Sequence, residues 1–134
     1  MRAGRPRSQL MQYKFARLYA DASGESHFED VEAEFALADF APPAPPLALS
    51  EYFSAARTAF LGGPSGWKGD WHVSSARNLF VVISGEWEIE ASDGTTRLFA
   101  PNSVLLVEDT SGKGHRSRVV SKQDSLALLV QLAD

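Results

Sequence analysis

The stretch GDWHVSSARN places a histidine, a carboxylate and small polar side chains close together in the sequence. Imidazole is a common metal ligand and also, with a pKa near neutrality, a proton donor and acceptor. Asp70 lies two residues before His72, so the two side chains would face the same way on a regular strand. Ser74 and Asn78 add neutral hydrogen-bonding groups, and a second histidine, His115, follows the turn sequence SGKG. These residue types are suited to holding a metal ion, or to binding a small molecule and exchanging a proton with it.

The composition is that of one domain, since 134 residues are enough for one core and too few for two. The sequence has no cysteine, which excludes disulfides and thiolate chemistry. No apolar run is long enough to span a bilayer, and the basic start MRAGRPRSQLMQYKF lacks the apolar segment of a secretory signal. We therefore expect a cytoplasmic protein with no membrane partner, and the net charge of -4 argues against a nucleic-acid partner. We expect a flexible basic segment at residues 1–11 and a single domain at residues 12–134.

The elements that must position these residues are short strands. QYKFARLYAD and HFEDVEAEFALADF are interpreted as strands, with a short helix as the alternative for the second. The proline-rich APPAPPLAL is expected to cross the surface as an extended connector. SEYFSAARTAFL stays open between a helix capped by Ser50 and a strand.

The pattern is clearest in the second half of the chain. NLFVVISG predicts a strand buried on both faces, and EWEIEAS alternates with Trp87, Ile89 and Ala91 on one face. The dipeptide Asp93-Gly94 predicts a hairpin. With SVLLVEDT, HRSRVVS and SLALLVQL the count reaches about eight strands, which predicts an all-β sandwich or barrel of the jelly-roll type.

The same region resembles the cupin superfamily. Its first motif reads histidine, any residue, histidine, three or four residues, glutamate, six residues, glycine. When VISGEW is aligned so that Gly85 is the closing glycine, Asn78 falls on the glutamate position, Ser74 on the second histidine and His72 on the first. In TSGKGH, His115 takes the place of the histidine that ends the second motif.

The resemblance implies an all-β cupin-type double-stranded β-helix, a jelly-roll barrel, with its core motifs in residues 69–120. It also implies that His72 and His115 face one cavity. Metal-binding cupins hold Fe, Mn, Ni or Zn with three histidines and a glutamate, and this chain retains two of the four. Asp70, His72 and His115 would have the composition of a two-histidine-one-carboxylate site, and the two carboxylates of VEDT are further candidates.

Three functions remain open. The first is a small-molecule-binding cupin of unassigned substrate, with or without a metal, whose cavity is lined by His72, Ser74, Asn78 and His115. The second is a metal-dependent cupin oxygenase or isomerase that acts on a small organic substrate with a divalent transition metal (Fe, Mn, Ni or Zn). The third is a non-catalytic dimeric scaffold, which is favoured if core side chains fill the cavity, namely Phe80, Val82 and Phe99. A homodimer is implied by the resemblance, and exposed edge strands are consistent with it.

Overall fold

The computed structural model describes residues 11–134, and within this range every regular element is a strand. The eleven strands of this range are β1 (Tyr13–Ala20), β2 (Ser26–Ala33), β3 (Phe35–Ala38), β4 (Leu47–Ser50), β5 (Ala55–Gly63), β6 (Asn78–Ser84), β7 (Trp87–Ala91), β8 (Thr96–Phe99), β9 (Val104–Val107), β10 (His115–Val119) and β11 (Ser125–Leu132). The predicted all-β class is confirmed, with more strands than the eight expected. The predicted flexible segment lies outside the described residues except for Met11. No helix long and apolar enough to cross a membrane occurs among the described residues.

The strands form two facing sheets and a separate hairpin. The larger sheet has the order β2-β1-β9-β6-β11-β5, and the smaller has the order β10-β7-β8. All neighbours pair antiparallel except β1 and β9, which are parallel. This is a jelly-roll arrangement, although neither sheet closes into a barrel. The hairpin of β3 and β4 stands apart from both sheets in its pairing.

The core lies between the two sheets because the strands alternate as the sequence predicts. Trp87, Ile89 and Ala91 are buried, and the glutamates between them are not. From the larger sheet, Phe80 and Leu105 enter the same apolar cluster. The predicted hairpin forms between β7 and β8, with Gly94 at a positive φ of 93° that favours glycine.

Three local predictions need correction or completion. NLFVVIS is buried on one face only, because its outward-facing residues such as Ile83 have no layer packed over them in the described chain; Ile83 is 46% exposed. The proline-rich stretch lies in the loop of the β3–β4 hairpin, and its last residues form β4 rather than a connector. The undecided SEYFSAARTAFL begins with Ser50, the last residue of β4, and is irregular over residues 51–54. It then forms β5, since pairing with β11 outweighs the helix propensity of its alanines.

The segment from Pro64 to Arg77, between β5 and β6, carries half of the predicted site. It contains no strand, and it is tied to the smaller sheet by isolated bridges from Lys68 to Arg118 and from His72 to His115. These two anchors hold the segment so that Trp67, His72 and Ser74 line the space between the sheets.

Candidate functional site

The two predicted histidines are neighbours. The His72 and His115 backbones exchange two N–H···O bonds, of 3.0 and 2.9 Å, and their ring centroids are 4.6 Å apart. This approach depends on Gly114, which has a φ of 74° and where a Cβ would lie 2.1 Å from the His72 carbonyl oxygen. No motif position pointed to this role of Gly114, the second glycine of SGKG.

A buried carboxylate orients His115. Asp109 is fully buried, and its Oδ2 lies 2.6 Å from Nδ1 of His115. An ionised carboxylate only accepts hydrogen bonds, so this contact keeps a proton on Nδ1 and leaves Nε2 as the free ring nitrogen. The other carboxylate oxygen of Asp109, Oδ1, is buried without a hydrogen-bond partner among the described residues. Asp109 also accepts the Ser74 N–H at its backbone oxygen, 3.0 Å away.

His72 is held in a similar way by backbone. Its Nδ1 lies 2.8 Å from the carbonyl oxygen of Asp70, which can only accept a hydrogen bond. The neutral ring therefore also presents Nε2 as an acceptor. His115 is 7% exposed and His72 is exposed, so one imidazole lies inside the cavity and the other at its mouth.

Ser74 and Asn78 close the loop that carries them. The Ser74 hydroxyl donates to the Ala76 carbonyl at 2.6 Å, and the Asn78 amide donates to Ser74 Oγ at 3.1 Å and to Ala76 at 2.9 Å. A carboxylate at position 78 could not make these two donations. The asparagine at the glutamate position of the motif therefore has a structural role that a metal-binding glutamate would not fill.

Asp70 does not join the predicted metal set, and this expectation is corrected. Its carboxylate accepts the N–H of Trp71 at 2.8 Å, and the side chain is exposed and absent from the cavity lining. The expected alternation fails because residues 69–71 form no strand. The carboxylates of VEDT do not replace it, because neither lines the cavity. Asp109 contacts Nδ1 of His115, and Glu108 forms ion pairs with two arginines.

The donor set does not fit a resident transition metal. Within residues 11–134, no group of three or more His, Asp or Glu side chains is arranged to hold a metal ion. The two histidines fall short of the three protein ligands of a typical catalytic site. The Ser74 hydroxyl and the Asn78 amide are neutral groups and weak ligands for such ions.

The four predicted ligand-binding residues line one cavity of about 300 Å³ between the two sheets. Most of its remaining wall is apolar or aromatic, formed by Leu61, Trp67, Phe80, Trp87, Ile89, Leu105, Val107 and Leu129. The Trp87 ring meets the edges of its aromatic neighbours with centroid distances of 5.5 and 5.7 Å, and its Nε1 donates to Ser125 Oγ at 2.6 Å. The wall therefore has an aromatic part, in which Trp87 is held by ring contacts and a hydrogen bond, and a polar part that contains the histidines.

Some lining residues were missed by sequence reasoning. Ser117 lines the cavity beside His115, and the two-residue spacing on one strand could have identified it. Trp67 lines the cavity although its segment is not a strand, so no periodicity pointed to it. Asp109 is one of the two VEDT carboxylates that the sequence offers as candidate metal ligands, but its contact with Nδ1 of His115 was not predicted.

Two charged clusters lie outside the cavity. Burial opposes the ionisation of Glu108, but hydrogen bonds from Arg17 and Arg77 outweigh it and hold the pKa of Glu108 below its usual value. On the smaller sheet, Arg116 pairs with Glu90 at 2.8 Å, and Arg118 forms the same kind of pair with the neighbouring glutamate. Both clusters are satisfied ion pairs and offer no free charge to the cavity.

No family model and no curated protein matches the chain. Similar solved structures include a cupin domain from Bordetella pertussis Tohama I, with a TM-score of 0.46, 16% identity and coverage of 57% of this chain and 80% of that one. The Schizosaccharomyces pombe Cnp3 cupin domain gives a TM-score of 0.47 and 14% identity over 92% of this chain and 84% of that one. The conserved SPY1581 protein of unknown function from Streptococcus pyogenes gives a TM-score of 0.43 and 18% identity over 57% of this chain. The match covers 63% of the length of that protein.

Two of these three neighbours are cupin domains. All of their TM-scores lie below 0.5. The fold assignment therefore rests on the strands and sheets of this chain itself, and no activity is carried over from the neighbours.

Proposed function

We propose that the protein binds a small molecule that has an apolar body and a polar end, in the cavity between the two sheets. The observation that supports this is the placement of His72, Ser74, Asn78 and His115 in the wall of one cavity of about 300 Å³ whose remaining wall is mostly apolar. Ligand sites in proteins are typically apolar clefts with a few converging polar groups. The scaffold alternative is less supported, because Val82 and Phe99 are buried in the core and Phe80 lines the cavity without filling it.

The polar end of the ligand follows from the two rings. Each histidine has its Nδ1 engaged with an oxygen that only accepts, so each neutral ring presents an acceptor at Nε2. A ligand hydroxyl, such as that of a phenol, fits this pair as a donor. The aromatic wall around Trp87 fits a planar ring by edge and face contacts.

Quenching of tryptophan fluorescence tests this proposal, because Trp67 and Trp87 line the cavity. We expect phenol and 4-hydroxybenzoate to quench it saturably, and cyclohexane carboxylate, which lacks the hydroxyl, to bind more weakly. His115→Ala should weaken binding by about tenfold, equivalent to one lost hydrogen bond of ~1.4 kcal/mol. His27→Ala is the matched control, since His27 lies between Asp21 and Asp93 outside the cavity and its loss should leave the affinity unchanged. Equal affinities in both variants would refute the assigned site.

The metal-dependent alternative is tested on the same preparation. Because the donor set does not fit a resident metal, we expect protein purified without chelators or a metal-binding tag to contain no stoichiometric Fe, Mn, Ni or Zn. Stoichiometric metal that is lost in His72→Ala and in His115→Ala would overturn this part of the proposal.

A cytoplasmic location belongs to the same proposal and is supported by the absence of cysteine from the sequence.

A second function is favoured by the contact between Asp109 and His115. A histidine whose Nδ1 is held by a buried carboxylate is oriented to take a proton at Nε2, as a general base does. The bound molecule would then exchange or move a proton, as in an isomerisation. Deuterium incorporation from solvent into bound ketones or phenols tests it: Asp109→Asn should retain binding and lose exchange, whereas no exchange in the unsubstituted protein would leave binding as the function.

A further inference from the structure

The edge strand β5 is exposed along almost its whole length. Eight of its nine residues are exposed, and only Gly63 at its end is buried. Its single strand partner in the described chain is β11, so its other edge presents unpaired backbone N–H and C=O groups. Phe60 is 72% exposed and Leu61 is 40% exposed. An exposed apolar edge of this kind is a template for pairing with another strand.

The opposite edge of the same sheet is protected. In β2, three carboxylates occur in eight residues, at Glu29, Asp30 and Glu32. Charged side chains on an edge strand discourage its pairing with a strand of another molecule. In β5 the one charge among nine residues is Arg57, which donates to Gln131 on β11 at 2.9 Å. Proteins commonly protect edge strands with charges or proline, and β5 has neither along its length apart from this arginine.

The sequence of β5 is compatible with antiparallel pairing to itself. A two-fold axis at Ala59, the central residue of the strand, overlaps all nine residues of both copies. Thr58 then lies opposite Phe60 of the other copy, an aromatic and β-branched pair that stabilises antiparallel sheets. No two like charges face each other, because Arg57 lies opposite Leu61. Homodimers with one two-fold axis are the commonest oligomers, and the paired surface is the same on both chains.

We propose that β5 pairs antiparallel with β5 of a second copy of this chain, and that Arg57 of the partner subunit thereby completes each cavity. Leu61 and Gly63 line the cavity, and Arg57 has the same parity on the strand, so it faces the same side of the sheet. Residues directly opposite in an antiparallel pair have Cβ atoms about 5 Å apart. The partner's Arg57 therefore lies beside Leu61 at the cavity, where its guanidinium can bind a ligand carboxylate.

The exposed aromatic side chains at this edge supply a substantial part of the surface that a stable pair needs. Tyr52 and Phe53 immediately precede the strand and are 80% and 43% exposed, and Phe60 adds a third exposed aromatic ring. These three side chains present on the order of 400 Å² of surface in each copy. That is about half of the ~800 Å² that each partner buries in a typical interface, before the nine-residue backbone pairing is included.

Light scattering coupled to size exclusion tests the pairing on the full chain, and we expect twice the 14.6 kDa monomer mass. Thr58→Lys/Phe60→Lys places ammonium groups opposite each other and should give a monomer. Thr58→Glu/Phe60→Lys places opposite charges there and should retain the dimer. Leu98→Lys, on the edge strand β8 of the smaller sheet and 59% exposed, is the control and should also retain it. A monomeric unsubstituted chain at 100 µM, or a dimer of the first variant, would overturn the proposal.

Binding of 4-hydroxybenzoate tests the arginine, and this part rests on the proposed function. Arg57→Gln should remain a dimer, lose about tenfold in affinity for 4-hydroxybenzoate and bind phenol unchanged. Mixed dimers of Arg57→Gln with His115→Ala should regain tight binding in one cavity per dimer, because the intact cavity receives its arginine from the other chain. No regain would show that Arg57 does not act across the interface. If neither probe binds any variant, the proposed function fails, while light scattering still decides the pairing.

Discussion

Gly114→Ala should destabilise the protein and separate the two site histidines. Gly114 has a φ of 74°, and a Cβ added there would lie 2.1 Å from the carbonyl oxygen of His72 and 2.4 Å from its carbonyl carbon. Both atoms belong to backbone, so no side-chain rotation relieves the contact. The segment that carries His72 must move away from β10, which breaks the two backbone hydrogen bonds between His72 and His115.

The expected loss in the free energy of unfolding has two parts. A non-glycine residue at positive φ costs about 1–2 kcal/mol, and the reduced freedom of the unfolded chain returns part of this, which leaves about 1 kcal/mol. Loss of two backbone hydrogen bonds adds about 2 kcal/mol. The expected destabilisation of Gly114→Ala is therefore about 3 kcal/mol, or roughly 12 °C in Tm at about 4 °C per kcal/mol.

Gly94→Ala is the matched control. Gly94 has a φ of 93°, but an added Cβ there meets nothing within 4 Å. It should show the conformational part alone, about 1 kcal/mol or roughly 4 °C. Urea and thermal unfolding measure both variants, and quenching by 4-hydroxybenzoate should be lost in Gly114→Ala only. Equal destabilisation of the two variants would refute the close approach of Gly114 to His72.

Three further predictions concern the surroundings of the cavity. Hydrogen bonds to Asp21 and Asp93 raise the pKa of His27, so the stability that they provide is present below about pH 6.5 and is lost as the pH rises through the raised pKa. The Tm difference between the unsubstituted protein and His27→Gln should therefore shrink between pH 6 and pH 9. A constant difference would contradict this. The lowered pKa of Glu108 has the opposite sign, so the stability lost in Glu108→Gln should be greatest near pH 7 and should disappear as the pH falls below about 4. Trp87→Phe removes the 2.6 Å hydrogen bond to Ser125 and should lower the free energy of unfolding in urea by about 2 kcal/mol. Trp71→Phe is the control, because Trp71 lies outside the cavity lining, and it should lower this free energy by less than about 1 kcal/mol.

Much of the fold was predictable because the strands alternate. EWEIEAS and the Asp93-Gly94 turn specify β7, β8 and the hairpin between them, and the structure shows all three. NLFVVIS was misread because a continuous apolar run is also typical of a strand that is covered on both faces. In the single chain its outer face is open at Ile83. The identity of β5 depended on pairing with β11 across more than sixty positions, which no local propensity contains.

The candidate site was also predictable only in part. His72, Ser74, Asn78 and His115 could be placed together because the motif spacing relates two distant parts of the chain, and all four line one cavity. Asp70 failed because its placement assumed a strand where the chain makes only isolated bridges.

Asp109 shows why the chemistry at this end of the cavity rests on hydrogen bonds. In a metal site, a carboxylate behind a histidine typically orients the ring so that Nε2 can bind the ion. Asp109 is placed in this way behind His115, yet the position that the motif gives to a glutamate ligand holds Asn78, whose amide hydrogens close its own loop. The orienting carboxylate is therefore present without enough ligands for the ion it would serve. What remains is a ring with Nδ1 held by Asp109 and with Nε2 available as an acceptor, which suits the proposed contact with a ligand hydroxyl and requires no metal. Asp109→Asn separates this contact from proton transfer, since an amide can preserve the packing of the carboxylate but cannot stabilise a protonated His115.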